Sequence, residues 1–452
     1  MNLNEKSLAN ISVASVCALL WIWVVPGTIA LRHGLLGIGC IAGILLIRSH
    51  WTKLSTPRLN LIPLYAIAAL FIWVGIHYRF FSLNPALELS EIKGLWLRSL
   101  AGCIMAMGFA IALSQQSHLR KYFYISIFAV PIINVIAYLY DCYLHGRFIT
   151  PDIFYRFLFT KIESAYFGAI AVAVSVANLV YIFSGKIEKK TYYLITLYFL
   201  GIALVLLSDL LSSTKNGIAI ALALCVLLSI TILVKAFWSF KGSKKAAITV
   251  VILMIGLTAL IWQGQKSFAH KGWDTLFEDI KVAIDIDKNR QWQYKEGTVE
   301  APLNSLGVPA VLNTYSRFAY GVVGIRLINK YPLGYGSINK SFDGLQTQAN
   351  IYHEHEGQVH SGWIDFSLAF GVPGLALIFL SLIAIILIGL QQKTEISLQA
   401  VLFATMLIPF GLIAEISYKQ YFEATLFFIV FAATILAIAP RIHEGLEANT
   451  LN

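Results

Sequence analysis

Apolar runs of roughly 20 residues recur from one end of this chain to the other: 11–31, 35–49, 60–78, 96–114, 122–141, 163–183, 192–211, 217–235, 247–263, 363–390, 398–416 and 422–440. Each is near the length at which a helix crosses ~30 Å of hydrocarbon. Lipid offers no partner to a backbone N–H or C=O, so runs of this kind are helices that satisfy their own hydrogen bonds. The expected fold is an all-α polytopic membrane protein of about 12 transmembrane helices, or about 11 if the short second run pairs with the first. With 58% hydrophobic and 13% charged residues, the composition excludes an ordinary soluble domain. The first run has no small-residue cleavage site before the next polar break, so it reads as a retained span rather than a removable signal. Five cysteines (Cys17, Cys40, Cys103, Cys142 and Cys225) lie in or beside the runs without framework spacing, which indicates neither disulfides nor a thiolate metal site.

Lys and Arg set the orientation. With the N-terminus in the cytoplasm, the inner connections carry the larger basic set, including Arg48, Lys53, Lys186, Lys189, Lys190, Lys241 and Lys245. The opposite set, among them Arg32, Arg79, Arg98, Arg147, Lys215 and Lys419, is smaller. Both termini are therefore expected inside. Basic residues on the outer face oppose that bias, and an anionic substrate would account for some of them. The plainer account is that they snorkel to phospholipid headgroups.

One connection, 264–360, dwarfs the others and precedes the third-last run. It divides the chain into spans 1–9 (1–263), a large, mostly helical loop (264–360) placed outside the cytoplasm by parity, and spans 10–12 with a cytoplasmic tail (361–452). Within the loop, Trp273, Leu276, Phe277, Ile280 and Ile284 recur at helical spacing, which suits a helix lying on the membrane or on the protein; packing of that face against neighbouring spans is preferred, because acids outnumber bases on its polar side. Further on, SRFAYGVVGIRLINKYPLGYGSINK (316–340) contains Arg317, Arg326, Lys330 and Lys340 but no acid. A helix is expected from about Arg317 to Lys330, ended by Pro332 and the turn-forming Gly334 and Gly336. Arg326 and Lys330 share a face of it. Arg317 lies roughly half a turn from Arg326 at ~100° per residue, so only one of the two can enter a given pocket, and Arg317 is preferred.

The loop ends in HEHEGQVHSGWIDFSLAFGVPGL, where a polar, histidine-bearing stretch becomes a span. The order of His353, Glu354, His355, Glu356 and His360 does not match the spacing that sets two metal ligands on one helical face. No metal or other cofactor is expected. His360, at the mouth of a span, is the candidate general base, because imidazole accepts a proton near neutral pH; the alternative is a satisfied interfacial histidine. Lys215, in the turn DLLSSTKNG, reads either as a solvated helix end or, with Arg317 and Arg326, as part of a clamp on a diphosphate. Asp209, Asp365 and Glu415 are acids in or beside spans and are expected to face the interior and pair with these cations.

The long late loop, the SRFAYGVVGIRLINKYPLGYG segment and HSGWIDFSLAFGVPGL opening the next span resemble the O-antigen ligase and polymerase superfamily, and most of all its ligase branch. The resemblance implies an inner-membrane enzyme whose loop is periplasmic. It implies His360 as the catalytic residue, with Arg317 and, second, Arg326 holding the pyrophosphate of an undecaprenyl-linked glycan. Lys330 joins them as a further substrate-binding candidate. The family usually has arginine where this chain has Lys215, which keeps the charge but loses the bidentate fork. Metal-independent, inverting transfer of the glycan to a sugar hydroxyl of lipid A-core is the implied reaction. Its partners are those two substrates and membrane lipids, not nucleic acid. Repeat-unit polymerisation and protein O-glycosylation within the same superfamily remain open, as does a lipid-linked saccharide transporter, although no internal repeat supports the last.

Overall fold

The computed structural model describes residues 3–54, 58–149, 161–183, 189–238, scattered positions within 248–263, then 275–294, 298–354, 357–392, 394–415, 417 and 419–450. Among these residues there is no strand, only an isolated bridge between Leu303 and Pro309. Ten stretches are long and apolar enough to cross a membrane. They comprise α1 (Leu3–Ile22), α2 (Ile29–Leu54), α3 (Ile62–Phe80), α4 with α5 (Pro85–Glu91, Leu97–Gln115), α6 with α7 (Arg120–Ser126, Ala129–His145), α8 (Lys161–Ile182) and α9 (Lys189–Leu211). After the long connection come α14 (Gly362–Gln392), α15 (Glu395–Ile413) and α16 (Lys419–Thr450). Between the two groups, α10 (Lys215–Trp238) has a shorter apolar stretch, Lys215–Thr231. The expected span at 247–263 lies almost wholly outside the described residues. The connection itself holds α11 (Leu276–Ile284), α12 (Leu312–Lys330) and α13 (Ser341–Gln348).

The first boundary differs from the hydropathy reading. The expected break near Arg32 falls inside α2, and the chain turns instead at 23–28, where Pro26 and Gly27 (φ +77°) are hidden in an apolar run. The freed carbonyls of α1 find local donors. The Thr28 hydroxyl donates to Val25 at 2.7 Å, and Arg32 Nη1 donates to Trp23 O at 2.6 Å. A cation over helix-end carbonyls also suits the dipole.

Small residues decide which helices meet. In lipid, helices gain little from hydrophobic exclusion and associate by close packing. Gly39, Gly43, Gly102 and Gly108 let α2 and α5 lie against each other, so close that a Cβ on Gly108 would stand 2.3 Å from the Gly43 Cα. The alanine- and valine-rich α8 is buried along nearly its whole length. Aromatic side chains fill the remaining space, with Trp96 of the α4–α5 junction against Phe366, Phe370 and Phe422.

α14 is broken in the middle. Gly371 adopts φ +71°, ψ −179°, a conformation open only to glycine, and Pro373 cannot donate to the carbonyl of Ala369. Three carbonyls of the upper half therefore need partners. Leu368 O accepts from Tyr335 N and Ala369 O from Gly336 N, both at 2.8 Å, and Phe370 O accepts from Trp73 Nε1 at 2.8 Å. In return, Val372 N donates to Pro332 O at 2.9 Å. The turn expected at Pro332–Gly336 is thus an insertion that completes the hydrogen bonding of a span. Buried His77 holds it from the other side, with Nε2 3.0 Å from Leu333 O and Nδ1 2.9 Å from the Glu88 carboxylate.

The expectation for the first loop helix is corrected. α11 exists, but it buries Asp279 and Ala283, while Phe277 (76%) and Ile284 (50%) are exposed; Trp273 lies outside the described residues. The Asp279 carboxylate accepts from Thr275 Oγ1, Asn304 Nδ2 and Val311 N at 2.8–3.2 Å. A carboxylate with three donors is stable inside the loop, and anchoring it there turns the apolar stripe outward. Ala283 joins Tyr315, Val323, Leu327 and Phe342 in a small core belonging to the connection itself.

Replacing Gly371 with Ala should cost about 1–3 kcal/mol through the backbone alone, with more from a Cβ placed 2.4 Å from Leu333 O. Gly75→Ala, whose Cβ meets nothing within 4 Å, serves as control. Thermal unfolding in detergent should show a clear loss only for the former, and equal midpoints would mean the break is not held by this contact.

Candidate active site

Three segments distant in sequence meet at the last turn of α15. The amide of Gly362 donates to Ala414 O at 2.9 Å, and the Ser361 hydroxyl lies 3.5 Å from Gly411 O. Trp363 Nε1 donates to Ile408 O at 2.8 Å. From another direction, Asn216 Nδ2 at the start of α10 donates to Ile413 O at 2.6 Å. Carbonyls at a helix end lack intrahelical donors, and here they fasten the beginnings of α10 and α14 to one point. Lys215 and His360 are thereby drawn to the same corner.

His360 occupies the turn into α14 with φ +66°, unusual for a residue with a Cβ. Asp365, fully buried one turn into the helix, secures that turn: its Oδ1 accepts from Val359 N at 2.7 Å, and the amides of His360 and Ser361 also face the carboxylate. His360 Nδ1 pairs with the Glu415 carboxylate, the ring 31% and the carboxylate 13% exposed. The ring thus remains accessible while its partner is largely covered. A carboxylate at Nδ1 fixes the proton on that nitrogen and puts the lone pair on Nε2.

Arg317 approaches through α12. Arg317, Gly321 and Gly324 lie four and three residues apart, on one stripe of the helix. A Cβ on Gly324 would be 2.6 Å from Ile364 Cγ2 and 3.1 Å from Val359 Cγ2, and one on Gly321 would be 3.9 Å from Ile364 Cδ1. The glycines let α12 rest directly on the turn flanking His360, and Arg317 extends from the same stripe one turn further. It is half-buried, and burial pushes its guanidinium below the usual arginine range. Among the described residues it has neither an ion-pair nor a hydrogen-bond partner. A guanidinium partly removed from water with no acceptor is a ready receptor for an anion.

The structure does not bring the other two cations to this stripe. Arg326 is bidentate to Asp287, at 2.8 and 2.7 Å, with both side chains exposed; the guanidinium holds the Asp287 carboxyl below the usual range. Lys330 is exposed, its ammonium 5.5 Å from the Tyr331 ring centroid. Lys215 is half-buried, within electrostatic reach of Lys161 at the start of α8. Asp209 lies behind it, accepting from Ser164 at 3.1 Å beside Gly217. His353 spans Ile351 O and Asp343 at 2.9 and 2.8 Å, an arrangement that closes the loop; His355 and Glu356 lie outside the described residues. Among the described residues, no three His, Cys, Asp or Glu side chains are grouped to hold a metal ion.

Glu415 is the residue the sequence specified least. It read as one interior acid among several, and nothing in its spacing from His360 announced that the two would pair. Residues 200–379 match a family model described as O-antigen ligase, a stretch that includes Lys215, Arg317 and His360 and ends before Glu415. No curated protein matches the sequence.

Because Arg317 is desolvated without a partner, Arg317→Met should leave the fold intact and raise the midpoint of thermal unfolding by about 1–3 °C, as happens when a functional site is relieved of an uncompensated charge. A marked drop would show that Arg317 serves the fold rather than a ligand.

Proposed function

We propose that this chain, whose residues 200–379 match a family model described as O-antigen ligase, transfers a glycan from undecaprenyl diphosphate to a sugar hydroxyl of lipid A-core on the periplasmic side of the bacterial inner membrane. The observation that carries the reading is the His360–Glu415 pair at the end of α15, the carbonyls of which also hold Asn216, the neighbour of Lys215, while the helix of half-buried Arg317 rests on Val359 and Ile364. A sugar C1 bonded to diphosphate already has a good leaving group. What remains is to align an acceptor hydroxyl, remove its proton and neutralise the departing anion. In the reading proposed here, the acceptor oxygen attacks C1 from the face opposite the diphosphate while Nε2 of His360 takes its proton. The C1–O bond breaks with its electron pair going to the diphosphate, and the anomeric configuration inverts. Glu415 stabilises the imidazolium that forms. Arg317 and Lys215 receive the growing charge on phosphate, a task that side-chain cations can perform without a metal. Arg326 and Lys330 would join only if Arg326 exchanged Asp287 for phosphate.

Purified protein reconstituted with undecaprenyl-diphosphate glycan and lipid A-core provides the test. Product should form in the presence of a chelator. His360→Ala should lower the transfer rate about 10²–10⁴-fold while donor binding persists, and retained transfer would remove His360 from the chemistry. Glu415→Gln should lower the rate roughly tenfold with donor affinity unchanged. Arg317→Ala should weaken donor binding itself. Product in which repeat units are joined to each other rather than to lipid A-core would instead identify a polymerase.

A further inference from the structure

A second cationic cluster, not used by the chemistry above, lies where α2, α5 and α16 begin. α2 and α5 pack in register, with Gly102 against Leu36, Gly39 against Met105 and Gly43 against Gly108. One turn before the Leu36–Gly102 contact, that register sets Arg32 beside Arg98. Glu423, in the first turns of the helix that follows Glu415, pairs with Arg98 Nε at 2.6 Å. Arg32 and His33 both lie within electrostatic reach of the same carboxylate. Two guanidiniums and an imidazole thus share one acid. Most of their donors are uncommitted: Arg32 uses Nη1 on Trp23 O, while its Nε is buried without a partner. Arg98 is 36% exposed, and Nη1 of its guanidinium points back toward Gly94, at the helix start. Excess positive charge with unmet donors in the first turns of three apolar helices calls for phosphate oxygens, which match the guanidinium fork.

We infer that Arg32 and Arg98, with Glu423 between them, form a site for the phosphate headgroup of a membrane lipid, separate from the corner at His360. The site would hold its lipid by the headgroup while the acyl chains run down the α2–α5 face. This inference goes beyond the glycosyl-transfer reading and does not rest on it, because it is read by lipid binding rather than turnover.

The experiment uses the full chain in phosphatidylcholine nanodiscs, titrated with phosphatidic acid or bisphosphorylated lipid A. Arg32→Gln combined with Arg98→Gln should weaken phosphatidic acid binding about tenfold or more, with phosphatidylcholine association unchanged. Glu423→Gln, which removes the competing carboxylate and keeps both arginines, should strengthen binding about threefold; this second variant guards against misfolding of the first. A loss several-fold larger for lipid A than for phosphatidic acid would support the site with the glycolipid headgroup as occupant. Equal losses would support it for any phosphomonoester lipid. Wild-type affinity in the double arginine variant, or weaker binding in Glu423→Gln, would overturn it.

Discussion

The site depends on what happens to the carbonyls at the end of α15. A helix that stops inside a membrane protein leaves C=O groups that neither lipid nor its own backbone can satisfy. Here Gly411, Ile413 and Ala414 receive Ser361, Asn216 and Gly362 from two other helices. The same need that would make an unsupported helix end unstable thereby fixes the beginnings of α10 and α14. Glu415 follows directly and meets His360. Structural satisfaction of a backbone and orientation of a candidate base come from one short stretch.

The loop helix α12 is subject to the opposite requirement. It contributes Arg317 through contact rather than through hydrogen bonds, with glycines at 321 and 324 removing the side chains that would separate it from Val359 and Ile364. Its burial there leaves Arg317 with no acceptor among the described residues. Arg326 on another face has Asp287 instead. Two arginines nine residues apart on one helix therefore have different electrostatic lives, one committed and one waiting.

The sequence made much of this legible, and for a physical reason: hydrocarbon imposes length and polarity on each span. Ten of the expected spans, the α12 helix to Lys330 and the histidine at the mouth of α14 follow from local pattern. What escaped was non-local or masked by composition. Pro26 and Gly27 sit in an apolar run, so the turn there was invisible to hydropathy, and Arg32 looked like a break when it caps one. The apolar stripe of α11 suggested packing against spans, but three donors from residues up to 32 positions away claimed Asp279 and reversed the helix. The partnership of Glu415 with His360 depends on how α15 ends, which no spacing rule encodes. The break at Gly371 was equally hidden, since a glycine and a proline within a span have several possible meanings.

That break has a mechanical consequence. The half of α14 above Gly371 is clamped by the α15 carbonyls and by the Pro332–Gly336 insertion, whereas the half below is fastened to other spans, with Ser381 donating to Pro63 O at 3.1 Å and Gln392 to Leu436 O at 2.8 Å. With no continuous ladder of helical hydrogen bonds across residue 371, each half takes its direction from its own set of neighbours. α14 is therefore two short rods laid end to end, and the one that carries the histidine at its mouth is aimed by the loop and the end of α15.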